Sequence, residues 1–330
     1  MIHLLPAVSA AGHTALLAFD ARAHLGQPLV IGLLQGAVYG LLGLGLVLLY
    51  KSNRIFNFAQ AEFGTVAALT GFFAMNGNLL GIPWHMPWLV AMLVGLLAGT
   101  GTAVLTERLV IRPMFNRAKV ILVVGTVGVL LAAIAVENLV FPTNGIASLP
   151  PFNDPQKGLV PGLHDPAAHL GFAGYDMTWQ QVLTLVTLLV MALAAVAFFR
   201  YSRYGTAILA VSQEATAAQT VGISITRVSL LTWTLAGFLG SVAGLVSLAG
   251  SPVLVPGVLT GTALVGGIAA AVLGGITSLP GAFVGGLLIG LIQAFADASF
   301  TFPGAQGVVV GIVLLLVLLV RPTGLLGKEA

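Results

Sequence analysis

The chain has 330 residues, of which 58% are hydrophobic and only 7% charged, with a formal net charge of +3. A soluble domain carries about 25% charged residues, so these few charges cannot cover a water-facing surface, and apolar runs of roughly 20 residues, enough to cross a hydrocarbon core, recur along the chain. The absence of cysteine excludes disulfides and thiolate metal sites, and the slight basic excess reads first as a topology signal rather than a nucleic-acid footprint.

In chain order, residues 1–20 are apolar in places but broken by His3 and His13, with no basic leader and no convincing small-residue cleavage site. Residues 1–27 are expected to form an external N-terminal arm. Apolar spans are predicted at 28–50, 55–75, 86–110 and 120–141. Residues 142–176 form the one long polar segment, rich in Pro, Gly, Asn and Asp, and read as a loop. A span at 178–199 follows, and then a polar stretch, 200–227, whose Ala, Gln, Glu and Leu predict helix. The remainder, 228–249, 257–276, 282–297 and 304–320, is nearly uncharged and is divided by short Pro/Gly breaks. The expected fold is all-α: a polytopic helical membrane protein of about nine crossings, eight to ten if some segments are re-entrant, forming a single transmembrane domain over 1–330.

The cations test this count. With nine alternating spans, Lys51 and Arg54, then Arg108, Arg112, Arg117 and Lys119, then Arg200, Arg203 and Arg227, and finally Arg321 and Lys328 all fall on one side. Arg22 and Lys157 fall on the other, with Asp20, Asp154, Asp165 and Asp176. The positive-inside rule then puts the N-terminus and the 142–176 loop outside and the 200–227 segment and the C-terminus in the cytoplasm.

Glycines recur at four-residue spacing within the spans: Gly32, Gly36 and Gly40; Gly95 and Gly99; Gly240 and Gly244; Gly281 and Gly285; Gly286 and Gly290. In lipid, small residues let backbones approach and gain dispersion contacts, so these positions are expected to pack helices.

No catalytic motif is present. There is no H-E-x-x-H or G-x-S-x-G, and the single Gly-Lys pair, Gly327-Lys328, is followed by Glu329 and makes no Walker A. No metal site and no catalytic residue is expected. Asn57, Gln60 and Glu62 enter the second span, and a carboxylate in a span is costly and points to function by default. Two readings stand side by side: a buried hydrogen-bond knot, or part of a translocation path. Glu137, Asn138 and Asp297, near the external ends of their spans, read as interfacial. In the 200–227 segment Glu214 is the one acid, and small residues run on to Gly222. A low-charge helix with a flat face and a C-terminal glycine suits a groove on a partner protein.

Four stretches in order give the chain a family resemblance: Gly32 through Tyr39 leading to Asn57-Phe58-Ala59-Gln60-Ala61-Glu62; Arg203-Tyr204-Gly205 through Glu214-Ala215 to Val221-Gly222-Ile223; Gly274-Gly275 through Pro280-Gly281-Ala282; and Arg321-Pro322-Thr323-Gly324 to Gly327. The sequence resembles the membrane permease subunits of branched-chain amino acid ABC importers from about Leu29 onward, with Ala61 where the family pattern has glycine. The resemblance implies a multi-pass cell-membrane subunit that works with a second permease (homologous or identical), two cytoplasmic ATP-binding subunits and an external solute-binding protein. ATP and magnesium would then belong to the partner ATPases, this chain holding no cofactor and meeting lipid but no nucleic acid. It also implies that Arg203, Glu214, Ala215, Ala218 and Gly222 belong to a coupling helix seated on an ATPase. Asn57, Gln60, Glu62, Pro280 and Gly281 are the candidates to line the path. The cargo would be branched-chain or other hydrophobic amino acids or a related small solute. Two other classes are weighed: a passive channel for urea or short amides, which needs no coupling helix, and an intramembrane enzyme, which needs Glu62 and Asp297 close in space.

Overall fold

The computed structural model describes residues 25–75, 85–141, 169–172, 175–248, 254–300, 302, 304–321 and 323–327. The expected N-terminal arm, except for its last three residues, and most of the 142–176 loop lie outside the described residues.

Helix α1 (Gly26–Asn53) has 28 residues, about 42 Å at 1.5 Å per residue. Lys51 in its last turn complements the helix dipole. The helix stops where Arg54 turns left-handed (φ 56°), its N–H still bonded to the Tyr50 carbonyl at 2.8 Å. A left-handed non-glycine residue costs about 1–2 kcal/mol, so this sharp stop has to be held by tertiary contacts. Helix α2 (Glu62–Met75) begins only after an irregular stretch. Helix α3 (Trp88–Thr106) is prolonged by a π-turn, Glu107–Ile111, and a 3-10 turn, Arg112–Met114. Helix α4 (Lys119–Val140) follows, then two antiparallel strands, β1 (His169–Phe172) and β2 (Tyr175–Thr178), with His169 opposite Thr178. The rest is helical again: α5 (Trp179–Tyr201), α6 (Arg203–Gln213), α7 (Ala215–Thr220), α8 (Ile225–Leu248), α9 (Val258–Thr262), α10 (Leu264–Gly274), α11 (Leu279–Ser299) and α12 (Ala305–Val320).

Six of these helices are long and apolar enough to cross a membrane, namely α1, α3, α4, α5, α8 and α11; α2, α10 and α12 are apolar but shorter. Helices α1 and α8 form the centre, with 78% and 72% of their most apolar windows buried, against 17% in α4. Polar groups are the minority on every span, so burial here follows helix packing rather than avoidance of water.

The packing of the helices has an internal two-fold pattern. Helix α2 packs on α3 and α8, and α3 packs on α8; α10 packs on α11 and α1, and α11 packs on α1. Exchanging α1 with α8, α2 with α10 and α3 with α11 converts one set into the other. The glycines sit on these seams. A side chain on Gly32 would meet Leu291, on Gly36 the Gly286 carbonyl and on Gly40 the Phe283 ring; on Gly240 it would meet the Gln60 carbonyl and on Gly244 the backbone of Gly64.

Four elements differ from the sequence expectation: at the end of the stretch read as loop in an all-α chain, β1 and β2 pair as a β-hairpin, and three helical segments also depart from it. The span predicted over 55–75 is helical only from Glu62, and that predicted over 257–276 is broken at Ala263 between α9 and α10. In the first place a polar side chain offers the backbone an alternative to the helical ladder, Asn57 Oδ1 accepting from the Ala59 N–H. The 200–227 helix is likewise two helices, because Glu214 is extended (φ −147°, ψ 102°) and caps α7, accepting from the Thr216 N–H at 3.4 Å.

Candidate functional site

The irregular stretch after α1 is satisfied by side chains together with two backbone turn bonds, from the Gln60 N–H to the Asn57 carbonyl at 3.3 Å and from the Glu62 N–H to the Ala59 carbonyl at 3.1 Å. Asn57 and Gln60 have no exposed surface. Asn57 Oδ1 accepts from the Ala59 N–H at 3.0 Å, closing an Asx turn, and Asn57 Nδ2 donates to Gln60 Oε1 at 3.4 Å. Gln60 Nε2 donates to the Ala236 carbonyl of α8 at 2.8 Å. The missing side chain of Gly45 on α1 leaves the space that the Gln60 amide fills. The Phe58 N–H donates to Thr126 Oγ1 of α4 at 3.2 Å. Non-helical backbone inside a bundle survives only where protein groups replace water, and here α4 and α8 each supply one.

Glu62 is also fully buried, but neither of its carboxyl oxygens has a hydrogen-bond partner. Its neighbours are Glu137 of α4, Thr65 one turn up α2, and Thr260 of α9. Glu137 Oε2 accepts from the Gly257 N–H at 3.0 Å, while Glu137 Oε1 and Thr260 Oγ1 are buried and unpartnered. Thr65 Oγ1 accepts from the Leu259 N–H at 3.4 Å. Two carboxyl groups therefore meet where α2 begins, where α4 passes, and where the chain turns through left-handed Gly257 (φ 71°) into α9. Glu137 also lines a mainly apolar cavity of about 600 Å³ between α2, α3 and α4, where it is the one charged lining residue.

Glu137 corrects its interfacial reading: it is 2% exposed, whereas Asn138 beside it is exposed and bonds back to the Ile134 carbonyl. The buried residues of α4 are Leu122, Thr126 and Glu137. Thr126 and Glu137 are eleven residues apart, close to three whole turns, so that spacing is the signal that marks Glu137 as inward-facing. Asp297 is exposed and accepts from Gln306 Nε2 at 2.7 Å. It does not join Glu62, and the arrangement needed for an intramembrane acid pair of Glu62 and Asp297 is not formed.

Pro280 and Gly281 lie elsewhere. Pro280 lines a crevice with Tyr50, Lys51, Arg54, Ser212 and Gln213 at one end of the bundle. Gly281 accepts no side chain because the Gly274 carbonyl abuts it, and its N–H is capped by Ser278 Oγ at 3.1 Å. The tail folds onto the same place: the Leu325 and Leu326 N–H groups bond the Leu273 and Gly274 carbonyls at 2.8 and 3.1 Å. The third and fourth sequence stretches are thus one packed unit.

The same end gathers the turn after α1, Asn116 and Lys119 before α4, and the α6–α7 segment. Helix α6 is seated by Gly205, Ile208 and Val211, and Ser202 Oγ caps it, accepting from the Gly205 N–H at 2.9 Å. Arg203 and Glu214 are exposed, Ala215 opens α7, and Ala218 is buried against the bundle. Gly222 (φ 85°) closes α7, with the Ile223 N–H bonded to the Ala218 carbonyl at 3.0 Å, a Schellman ending. Thr216, Ala217, Gln219, Thr220 and Val221 remain exposed, Val221 at 75%. Arg54 ties this segment to the core: its Nη2 donates to the Ser212 carbonyl at 2.8 Å. Asn53 and Ser52 reach Ser229 and Thr232 of α8 at 3.4 and 3.1 Å.

One ion pair was not anticipated. Buried Glu107 receives Arg112 through Nε at 3.3 Å and Nη2 at 2.9 Å. The five-residue separation is the repeat of the π-turn they bracket, so the local widening of the helix is what brings both nitrogens onto the carboxylate.

Among the described residues no group of three or more His, Cys, Asp or Glu is arranged to hold a metal. What the fold defines is a many-helix membrane protein with a small exposed helix at one end and a buried polar junction inside, the form of a transport subunit. The family described as branched-chain amino acid transport system / permease component matches residues 29–318, and the chain belongs to it. Relatives include the high-affinity branched-chain amino acid transport system permease protein LivH of Salmonella typhimurium, 31% identical over 92% of this chain and 95% of the relative. BraD of Pseudomonas aeruginosa, of the same description, is 28% identical over 92% and 96%. The probable branched-chain amino acid transport permease protein LivH of Methanocaldococcus jannaschii is 27% identical over 92% and 94%. Among solved structures, PsaBC from Streptococcus pneumoniae in complex with Fab aligns with 14% identity and a TM-score of 0.47, over 96% of this chain and 97% of the other.

Proposed function

We propose that this chain is the permease subunit of an ATP-driven importer for branched-chain or related hydrophobic amino acids. The observation that carries the reading is the family match over residues 29–318, supported by relatives that align along nearly their whole length. The relatives' descriptions lend no support to a passive urea or amide channel. Six long and three short apolar helices make nine crossings, with Asn53, Lys119, Ser212 and Leu326 on the cytoplasmic side and the N-terminus outside. In this reading the exposed face of α7 seats on one of two partner ATPases, which bind ATP and magnesium. A second permease completes the path, and an external binding protein delivers the solute. ATP binding favours one of two bundle conformations, and its hydrolysis releases it. The spans hold few charges, which suits a zwitterion better than an ion.

The test is solute uptake into proteoliposomes containing this chain with its neighbouring ATPase, second permease and binding protein, offered leucine, isoleucine, valine, urea and short amides. The expected result is uptake of the branched-chain amino acids that requires both ATP and the binding protein. Uptake without ATP would overturn the importer reading in favour of a channel.

A further inference from the structure

The buried junction of α2, α4 and α9 holds more oxygen than it can satisfy. Glu62 Oε1 and Oε2, Glu137 Oε1 and Thr260 Oγ1 are buried and without a hydrogen-bond partner. These atoms come from three separate elements and sit side by side. Among the described residues no salt bridge reaches them. Glu62 is the one titratable residue of α2, and α9 has none; α4 adds Lys119 in its first turn. Helix α8 adds Arg227 at its own start, and at the far end of α3 Arg112 is committed to Glu107. Thr65 Oγ1 accepts from the Leu259 N–H and keeps its own O–H, as Thr260 does, and Glu137 Oε2 accepts from the Gly257 N–H, so three donors face four carboxyl oxygens. The group missing from the junction is one donor between two carboxyls.

We propose that Glu62 and Glu137 are a proton-binding site inside the membrane domain, holding one proton between them. The proton resides on one carboxyl, whose O–H donates to the free oxygen of the other. The pair then carries a single negative charge, delocalised over a hydrogen bond and faced by the Gly257 N–H and the Thr260 hydroxyl. The proton joins α2 to α4 and, through Gly257, to the turn that leads into α9. Loss of the proton would leave two like charges in a site with no counter-ion, which a membrane interior does not tolerate. The inference rests on the side-chain arrangement alone and stands or falls independently of the cargo.

The test is infrared difference spectroscopy on the reconstituted transporter complex, in which the carbonyl stretch of a protonated carboxyl is separate from carboxylate bands and shifts in D₂O. The wild type is expected to show such a band near neutral pH. Glu62→Gln should abolish it, because the amide N–H supplies the donor and leaves Glu137 ionised; Glu137→Gln should do the same, keeping an oxygen for the Gly257 N–H. Both variants are expected to assemble with thermal stability close to wild type, so that either can report if the other expresses poorly. Absence of the band in the wild type, its persistence in either variant, or failure of both variants to assemble would overturn the proposal. So would thermal stabilisation of the wild type by Na⁺, in a choline background, that both variants lose, since the junction would then bind a metal cation in place of the proton.

Discussion

The α1–α11 seam is the most extensive helix pair of the bundle, and it predicts a sharp positional contrast among glycines. A methyl group on Gly286 would run into the backbone N and Cα of Gly40 and the carbonyl of Gly36; on Gly290 it would meet the Gly32 carbonyl and the backbone of Gly36. None of these atoms belongs to a flexible side chain, so the two helices must part. Overpacking of this kind costs about 1–3 kcal/mol, against which Ala gains about 1 kcal/mol of helix propensity over Gly. Gly286→Ala is therefore expected to lose up to about 2 kcal/mol. The Gly286→Ala/Gly290→Ala double variant should lose less than the sum, because one separation of the helices relieves both clashes. Gly307 and Gly311 of α12 provide the control, since a methyl group there meets nothing within 4 Å; Gly311→Ala should be neutral or gain up to about 1 kcal/mol. Thermal unfolding of the purified complex in lipid nanodiscs ranks the variants. Gly286→Ala as stable as Gly311→Ala would refute the packing assigned to this seam.

Four further outcomes are expected. Arg112→Met should destabilise by about 3 kcal/mol because it strands the buried Glu107 carboxylate, and Glu107→Gln should cost clearly less; equal losses in the same unfolding assay would contradict the burial of Glu107. Val221→Asp should lower co-purification of the ATPase while leaving the fold of the permease pair intact by thermal shift; unchanged ATPase recovery would place the docking surface elsewhere. Glu62→Gln separates the two readings of that residue: reduced uptake by an assembled complex marks a role in transport, loss of stability first marks a packing knot, and normal values for both would exclude each. Finally, Arg54→Ala, which removes the bond to the Ser212 carbonyl, should lower the amount of solute taken up per ATP hydrolysed, and combining it with Glu62→Gln should give a non-additive loss; additive effects would separate the α6–α7 segment from the carboxyl pair.

Much of this was legible in the sequence because it depends on period and charge. Runs of apolar residues located every apolar helix among the described residues, and the cation clusters at 51–54, 108–119 and 200–227 forecast that the turns after α1, before α4 and around α6–α7 share one end. Four-residue glycine spacing indicated close faces, since helical geometry alone puts Gly32, Gly36 and Gly40 in one line. What escaped was set by contacts between segments far apart in the chain. That Ile55 to Ala61 is not helical depends on Thr126 and Ala236 being present to take up its polar groups. Glu137 looked interfacial by its distance from the end of the span, and only the helical phase of Thr126 turns it inward. The Glu107–Arg112 pair needs a π-turn, which hydrophobic periodicity does not encode.

The two breaks in the helical pattern fall at related positions in the packing two-fold, one before α2 and one before α10, and the chain uses them together. The first begins at Arg54, whose guanidinium is bound to the last turn of α6, and ends eight residues later at Glu62. The second follows the short helix α9, whose cap Gly257 and residue Thr260 face Glu137 and Glu62. Backbone without its own hydrogen-bond ladder is the part of a bundle that yields first. Here that backbone is held by Asn57, Gln60 and Thr126, and it joins Arg54, hydrogen-bonded to the Ser212 carbonyl of α6, to Glu62 of the carboxyl pair. A displacement of α6 in the proposed importer would reach that stretch through the bond from Arg54 to the Ser212 carbonyl. In the proposed importer, this arrangement gives a push on the docking helix a defined destination in the membrane, the junction of α2, α4 and α9.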